Sequence, residues 1–168
     1  DIDQLKAAVG PTGKFDLSGA LRSFYRLYAE KRGKRRWGDK TPPYLMHMRS
    51  IQTILPEAKF VHIIRDGRDV ALSFRKLWFG PDTIEHAAQR WLHWIEEARR
   101  QAAELSGYLE VSFENLIQDP PTVLRRICAF IDLPFDELML DYHRNADARL
   151  REMVQQYPVP NSNRVISP

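Results

Sequence analysis

With 168 residues, 43% apolar and 28% charged side chains, the chain suits one domain with a hydrophobic core rather than a disordered tail or a fibrous repeat. Set against 22 acidic side chains, 25 basic ones leave a net charge of only +3, a weak pointer to anionic ligands; no nucleic-acid partner is expected. The single cysteine, Cys128, excludes an internal disulfide framework or thiolate metal site, and no apolar run approaches the roughly 18–20 residues of a membrane span.

Residues 1–15 read as a short helical piece closed by the turn Pro11-Thr12-Gly13. Asp16 or Ser18 can cap a helix to about Arg32, with Leu17, Leu21, Phe24, Leu27 and Tyr28 at helical spacing. The cations of Lys31-Arg32-Gly33-Lys34-Arg35-Arg36 suit a solvated helix end, or attraction of an anionic donor or acceptor. Trp37-Gly38 reads as a very short strand. Pro42-Pro43 opens a helix with Leu45, Met48, Ile51 and Leu55 on one face, stopped by Pro56. A strand is expected over 59–64 and a helix over about 67–77. The longest helix spans 83–105, with Ile84, Ala87, Ala88, Trp91, Ile95 and Ala98 inward. A strand follows at 108–113. Pro120-Pro121 starts a helix to about Ile131, with Cys128 as a small core residue. Asp136 caps a last helix near 137–143, and 157–168 is a C-terminal loop. Strands alternating with helices predict an α/β fold, a parallel sheet flanked by helices.

One segment carries chemistry. In Phe60-Val-His-Ile-Ile-Arg-Asp-Gly-Arg-Asp-Val-Ala-Leu-Ser73, a β-branched run ends in Arg65, Asp66-Gly67 turns, and a helix brings Ser73. A permanent cation thus stands at the carboxyl end of a strand, where open α/β sheets bind ligands. Guanidinium and hydroxyl together suit a phosphate monoester. The alternatives are a salt bridge from Arg65 to Asp66 or Asp69, and plain exposure or helical back-bonding of Ser73.

This segment resembles the 3′-phosphate-binding segment of sulfotransferases that use 3′-phosphoadenosine-5′-phosphosulfate (PAPS). Three further segments agree in order: Trp37-Gly-Asp-Lys-Thr-Pro42; Val111-Ser-Phe-Glu-Asn-Leu116 with Asp119-Pro120; and Asn161-Ser-Asn-Arg-Val-Ile-Ser-Pro168. The resemblance implies a P-loop-like parallel sheet flanked by helices. It also implies that Arg65 and Ser73 grip the 3′-phosphate and that Lys40 is the active-site lysine. Arg68 is a further candidate for nucleotide binding, the alternatives being a cap, a pair with Asp69 or a solvated charge; Arg75 and Lys76 either add positive field near the 3′-phosphate or face solvent. Phe113, where the family has Tyr, lies near the adenine or packs in the core. Ser162 and Arg164 fall in the loop that closes over the nucleotide. Lys40-Thr41 runs into Pro42 without the histidine of the cytosolic branch, so the tyrosylprotein and glycosaminoglycan branches are the better match.

The family's Gly-rich phosphate loop has no counterpart here. Gly10-Pro-Thr-Gly-Lys14 lacks a preceding apolar strand and places Pro where an amide is needed. The expectation is a single sulfotransferase domain over 1–168, incomplete at its N-terminal side, with the loop and the catalytic base, a Glu, upstream of Asp1. The expected co-substrate is PAPS, with no metal. The acceptor is a small molecule, glycan or peptide bearing a hydroxyl or amine. A cytoplasmic location is expected, or a Golgi-type lumenal one if the protein is eukaryotic. A non-catalytic nucleotide-binding protein of the same fold and a P-loop kinase relative are the alternatives.

Overall fold

The computed structural model describes residues 16–74 and 80–145. The expected N-terminal helical piece, the Gly10–Lys14 segment, Arg75, Lys76, Ser162, Arg164 and the 157–168 loop lie outside the described residues. The chain falls into two compact units, 1–110 and 111–168.

In the first unit, α1 (Leu17–Glu30) is set by a face other than its expected apolar stripe. Ser18, Arg22 and Tyr25 share one side at helical spacing. Ser18 Oγ donates to the Ile54 carbonyl at 2.5 Å, and Arg22 donates to both oxygens of Glu57 at 2.6 and 2.8 Å. These bonds rotate Phe24 and Tyr28 outward, and both rings are half exposed. The helix ends where the Lys34 amide reaches back to the Ala29 carbonyl and the Gly33 amide to Glu30, both at 2.9 Å. Gly33 sits at φ +64°, the left-handed conformation this closure requires and glycine adopts without strain.

No strand forms at Trp37-Gly38, because the Trp37 ring is used differently: it stacks on Tyr25 with centroids 4.1 Å apart. Pro42-Pro43 opens a 3₁₀ turn, Pro42–His47, which passes into α2 (Met48–Ile54). Met48 and Leu55 are buried. The strand β1 (Phe60–Ile64) and helix α3 (Gly67–Phe74) follow as the β-branched run and Asp-Gly turn predict. The longest helix, α4 (Ile84–Ala102), is capped by Thr83, whose hydroxyl accepts from the His86 amide at 3.2 Å. Ala87, Ile95 and Ala98 are its buried face, but Ile84 and Ala88 are exposed. The apolar stripe of α4 is wider than the face that its neighbours cover. Gln101, also buried, uses its amide fully: it accepts from the Arg49 amide at 3.0 Å and donates to Glu97 at 2.6 Å.

The strand β2 (Tyr108–Ser112) pairs with β1 in a small parallel two-stranded sheet flanked by helices, so the α/β expectation holds. A polar chain crosses this sheet. His62 Nδ1 lies 2.7 Å from the Tyr108 hydroxyl, which donates to Glu110 at 3.1 Å. Arg99 donates to both Glu110 oxygens at 2.9 and 3.1 Å. The single phenolic proton goes to Glu110, so His62 holds its own proton at Nδ1. Burial pushes the His62 pKa down, against the Glu110 charge and with that of Arg99. The unfolded chain therefore takes up this proton before the folded one does. Stability is expected to fall as pH drops below about 6.5, the ordinary histidine value. Denaturant unfolding across pH 7.5 to 5 checks this. His62→Phe should flatten the decline, and an unchanged slope would remove His62 as its source.

The second unit begins within β2, and its described residues are mostly helical. Ser112 caps α5 (Phe113–Gln118) by accepting from the Asn115 amide at 3.1 Å. Phe113 thus opens a helix rather than ending the strand, because the Ser112 hydroxyl stops extended structure there. Asp119 caps α6 (Pro120–Phe130), with Pro120 at its first position. Cys128 is buried, 3.7 Å from the Met139 sulfur. Asp136 Oδ1 accepts from the Leu138 amide at 2.9 Å and starts the 3₁₀ segment Glu137–Asn145.

Candidate active site

The strand-to-helix turn after β1 is built by Asp66. Its carbonyl accepts the Val70 amide at 3.1 Å, and its carboxylate accepts the Arg68 amide at 2.8 Å, capping α3. The Arg68 guanidinium closes on the same carboxylate at 2.6 Å. Arg68 holds the Asp66 carboxyl down to about 2, chiefly through that side-chain hydrogen bond and then through its amide. Arg68 therefore pairs with Asp66 rather than Asp69. Its side chain is 90% exposed, so the pair shapes the turn and adds little stability.

Gly67 has a steric role. A β-carbon there would lie 2.8 Å from Trp91 Cε3 on α4, and the ring would have to move. Gly67→Ala is expected to lower unfolding free energy by about 1–3 kcal/mol, the usual cost of overpacking. Chemical denaturation measures it; an unchanged midpoint would show that the ring is free to yield. The close approach of the turn to Trp91 fixes where the carboxyl end of β1 points.

Arg65, the residue after β1, donates to Asp69 at 3.0 Å, one of the two pairings its sequence context offers. Both side chains are about half exposed. Ser73, on the last turn of α3, is exposed. Asp69 and Ser73 are four apart on α3 and so share one side of it, and Arg65, outside the helix, reaches that side through its bond to Asp69. A guanidinium, a carboxylate and a hydroxyl thus follow one another along that side. Asp69 is the member that sequence reasoning weighed only as an alternative partner. Its signal is the four-residue spacing from Arg65.

Lys40 lies in the exposed segment between α1 and the 3₁₀ turn. Its neighbours are anchored. Asp39 accepts the Tyr25 hydroxyl at 2.6 Å on one oxygen and the Thr41 hydroxyl at 2.7 Å on the other. Thr41 is extended, as a residue before proline prefers. Phe113 belongs to the second unit, half-buried at the start of α5. Glu114 beside it accepts from Ser112 Oγ at 2.9 Å and supports the cap.

Next to the turn lies an open, mainly apolar groove of about 770 Å³ between α3 and α4, lined by Leu72, Ile84, Ala88, Trp91 and Leu92 with Arg68 at its edge. This is where the exposed side of α4 goes. Among the described residues, no helix is long and apolar enough to cross a membrane.

A parallel strand, a capped turn and a helix, with arginine at the strand end and serine on the helix, thus make one α/β unit. A family model described as "Sulfotransferase family" matches residues 3–137, and the chain belongs to that family. Relatives agree. A Caenorhabditis elegans protein named "Putative protein-tyrosine sulfotransferase" is 31% identical over 108 residues, 61% of this chain and 42% of its own length. The Drosophila melanogaster "Protein-tyrosine sulfotransferase" is 29% identical over 96 residues, 53% of this chain and 19% of its own. "Protein-tyrosine sulfotransferase A" of C. elegans is 27% identical over 144 residues, 80% of this chain and 38% of its own. The chain thus spans less than half the length of these relatives.

Proposed function

We propose that this chain carries the 3′-phosphate grip and the transfer lysine of a PAPS-dependent sulfotransferase whose acceptor is a hydroxyl, the tyrosine phenol of a protein being the first candidate. The observation that carries the reading is Arg65 at the end of β1, bonded to Asp69, with Ser73 one helical turn beyond Asp69 on α3, inside the residues that the family model matches. The names of the relatives support the choice of acceptor.

The donor chemistry of the residues fits the nucleotide. A phosphate monoester offers oxygens to the Arg65 guanidinium and the Ser73 hydroxyl, and its charge draws Arg65 away from Asp69. Arg68 stays with Asp66 and adds positive field at the turn. In the transfer step the acceptor oxygen attacks sulfur in line. The sulfur–oxygen bond to the 5′-phosphate breaks, and adenosine 3′,5′-bisphosphate leaves. Its leaving oxygen gains charge that the Lys40 ammonium neutralises. The acceptor proton goes to a carboxylate base, which the family places just after its phosphate loop. The test is transfer of ³⁵S from PAPS to a tyrosine peptide by the full-length protein. Labelled peptide supports the reading. A protein that binds the nucleotide but labels neither peptide, glycan nor small phenol would contradict it.

A further inference from the structure

Every second residue from Trp37 to Thr41 is tied to one phenol. Trp37 stacks on the Tyr25 ring at 4.1 Å and an interplanar angle of 11°. Asp39 accepts the Tyr25 hydroxyl at 2.6 Å, and Thr41 donates to the other Asp39 oxygen at 2.7 Å. Trp37 and Asp39 both engage Tyr25, and Thr41 joins Asp39, so the chain on either side of Lys40 is held. The same bonds engage both Asp39 oxygens and fix the residue next to Lys40. Pro42 restrains Thr41 from the other side. Tyr25 itself is fixed in α1, which is anchored by Ser18 to the Ile54 carbonyl and by Arg22 to Glu57. The hydrogen bond to Asp39, the main cause, pushes the Tyr25 phenol well up, so it stays a donor at any physiological pH.

We propose that Tyr25, acting through Asp39, is a positioning residue that holds Lys40 in place for sulfuryl transfer. The proposal rests on the reading of Lys40 given above. It explains why an exposed lysine in a segment without secondary structure can serve a reaction that depends on placement. A compact charge on a long flexible stem is useful only if its backbone is fixed.

The test is a double-mutant cycle in the full-length protein, with Tyr25→Phe, Lys40→Ala and the pair. Tyr25→Phe keeps the ring stacked on Trp37 and removes only the hydroxyl. It is expected to lower kcat about tenfold, within the roughly 100-fold that a misplacement of about 1 Å can cost. KM for PAPS should stay within about twofold. In the Lys40→Ala background the same change should have no further effect on the residual rate, the non-additivity expected of residues acting as one unit. Thermal unfolding of each variant separates placement from folding. Tyr25→Phe with full kcat beside an inactive Lys40→Ala would overturn the role of Tyr25 alone. An equal loss in both backgrounds would make Tyr25 a general structural residue. Full activity of Lys40→Ala would instead overturn the reading of Lys40 itself.

Discussion

Arg65→Ala is expected to weaken binding of PAPS and of adenosine 3′,5′-bisphosphate about 30- to 100-fold, with acceptor KM nearly unchanged. The size follows from the groups involved. A hydrogen bond to a charged group contributes about 1.5–3 kcal/mol, and about 1.4 kcal/mol is tenfold in affinity. In the free protein Arg65 is paired with Asp69 at 3.0 Å. That pair is about half exposed, and exposed pairs contribute only about 0–1 kcal/mol. A dianionic phosphate is a stronger partner than one solvated carboxylate, so exchange favours the ligand. For the same reason Arg65→Ala should cost little folding stability. Arg65→Lys should fall between, since it keeps the charge and loses the planar fork. Calorimetric titration measures all three proteins. Equal affinity of Arg65→Ala and the natural protein would leave the salt bridge to Asp69 as the residue's whole role.

Lys40→Ala should act on the other kinetic constant. Loss of one group that stabilises developing charge typically lowers kcat about 100- to 1000-fold. The charge on the leaving oxygen grows only as the sulfur–oxygen bond breaks, so the loss should fall on kcat, with KM for PAPS changing little. Lys40→Arg should recover only part of the rate, because a broad planar cation does not replace a compact one. Steady-state transfer assays on the full-length protein settle it. A variant with undiminished kcat would place the charge stabilisation elsewhere.

The parts of this fold written in local signals were legible in the sequence. The β-branched run to Ile64 and the Asp66-Gly67 turn mark β1 and α3 within a residue or two at their starts. The apolar pattern over 83–105 and Pro120-Pro121 mark the starts of α4 and α6, where the structure adds Thr83 and Asp119 as caps. Gly33 marks the close of α1 once its positive φ is seen. What local signals lack is orientation. The stripe Leu17, Leu21, Phe24 and Tyr28 has helical spacing, yet α1 is held by the neighbouring face of Ser18, Arg22 and Tyr25. Ile84 and Ala88 have core chemistry and lie exposed beside the groove. Trp37 has strand chemistry and serves as a stacking partner. The orientation of α1 and the use of Trp37 are decided by partners 12 or more residues away: Ile54, Glu57 and Tyr25.

The site shows the same division. The positions of Arg65 and Ser73 follow from the strand and the helical repeat. The Arg65 pairing with Asp69 was one of two local choices, and the Asp66 carboxylate, the other, is engaged by Arg68. The Tyr25–Asp39 bond joins residues 14 apart, and no spacing in the sequence marks it.

The most direct test of the 3′-phosphate grip is titration of the full-length protein with adenosine 3′,5′-bisphosphate and with AMP, which differ only in that phosphate. The account predicts binding of the bisphosphate at least about 30-fold tighter than AMP, a gap of about 2 kcal/mol that Arg65→Ala should largely erase. Equal affinity for the two nucleotides would contradict it.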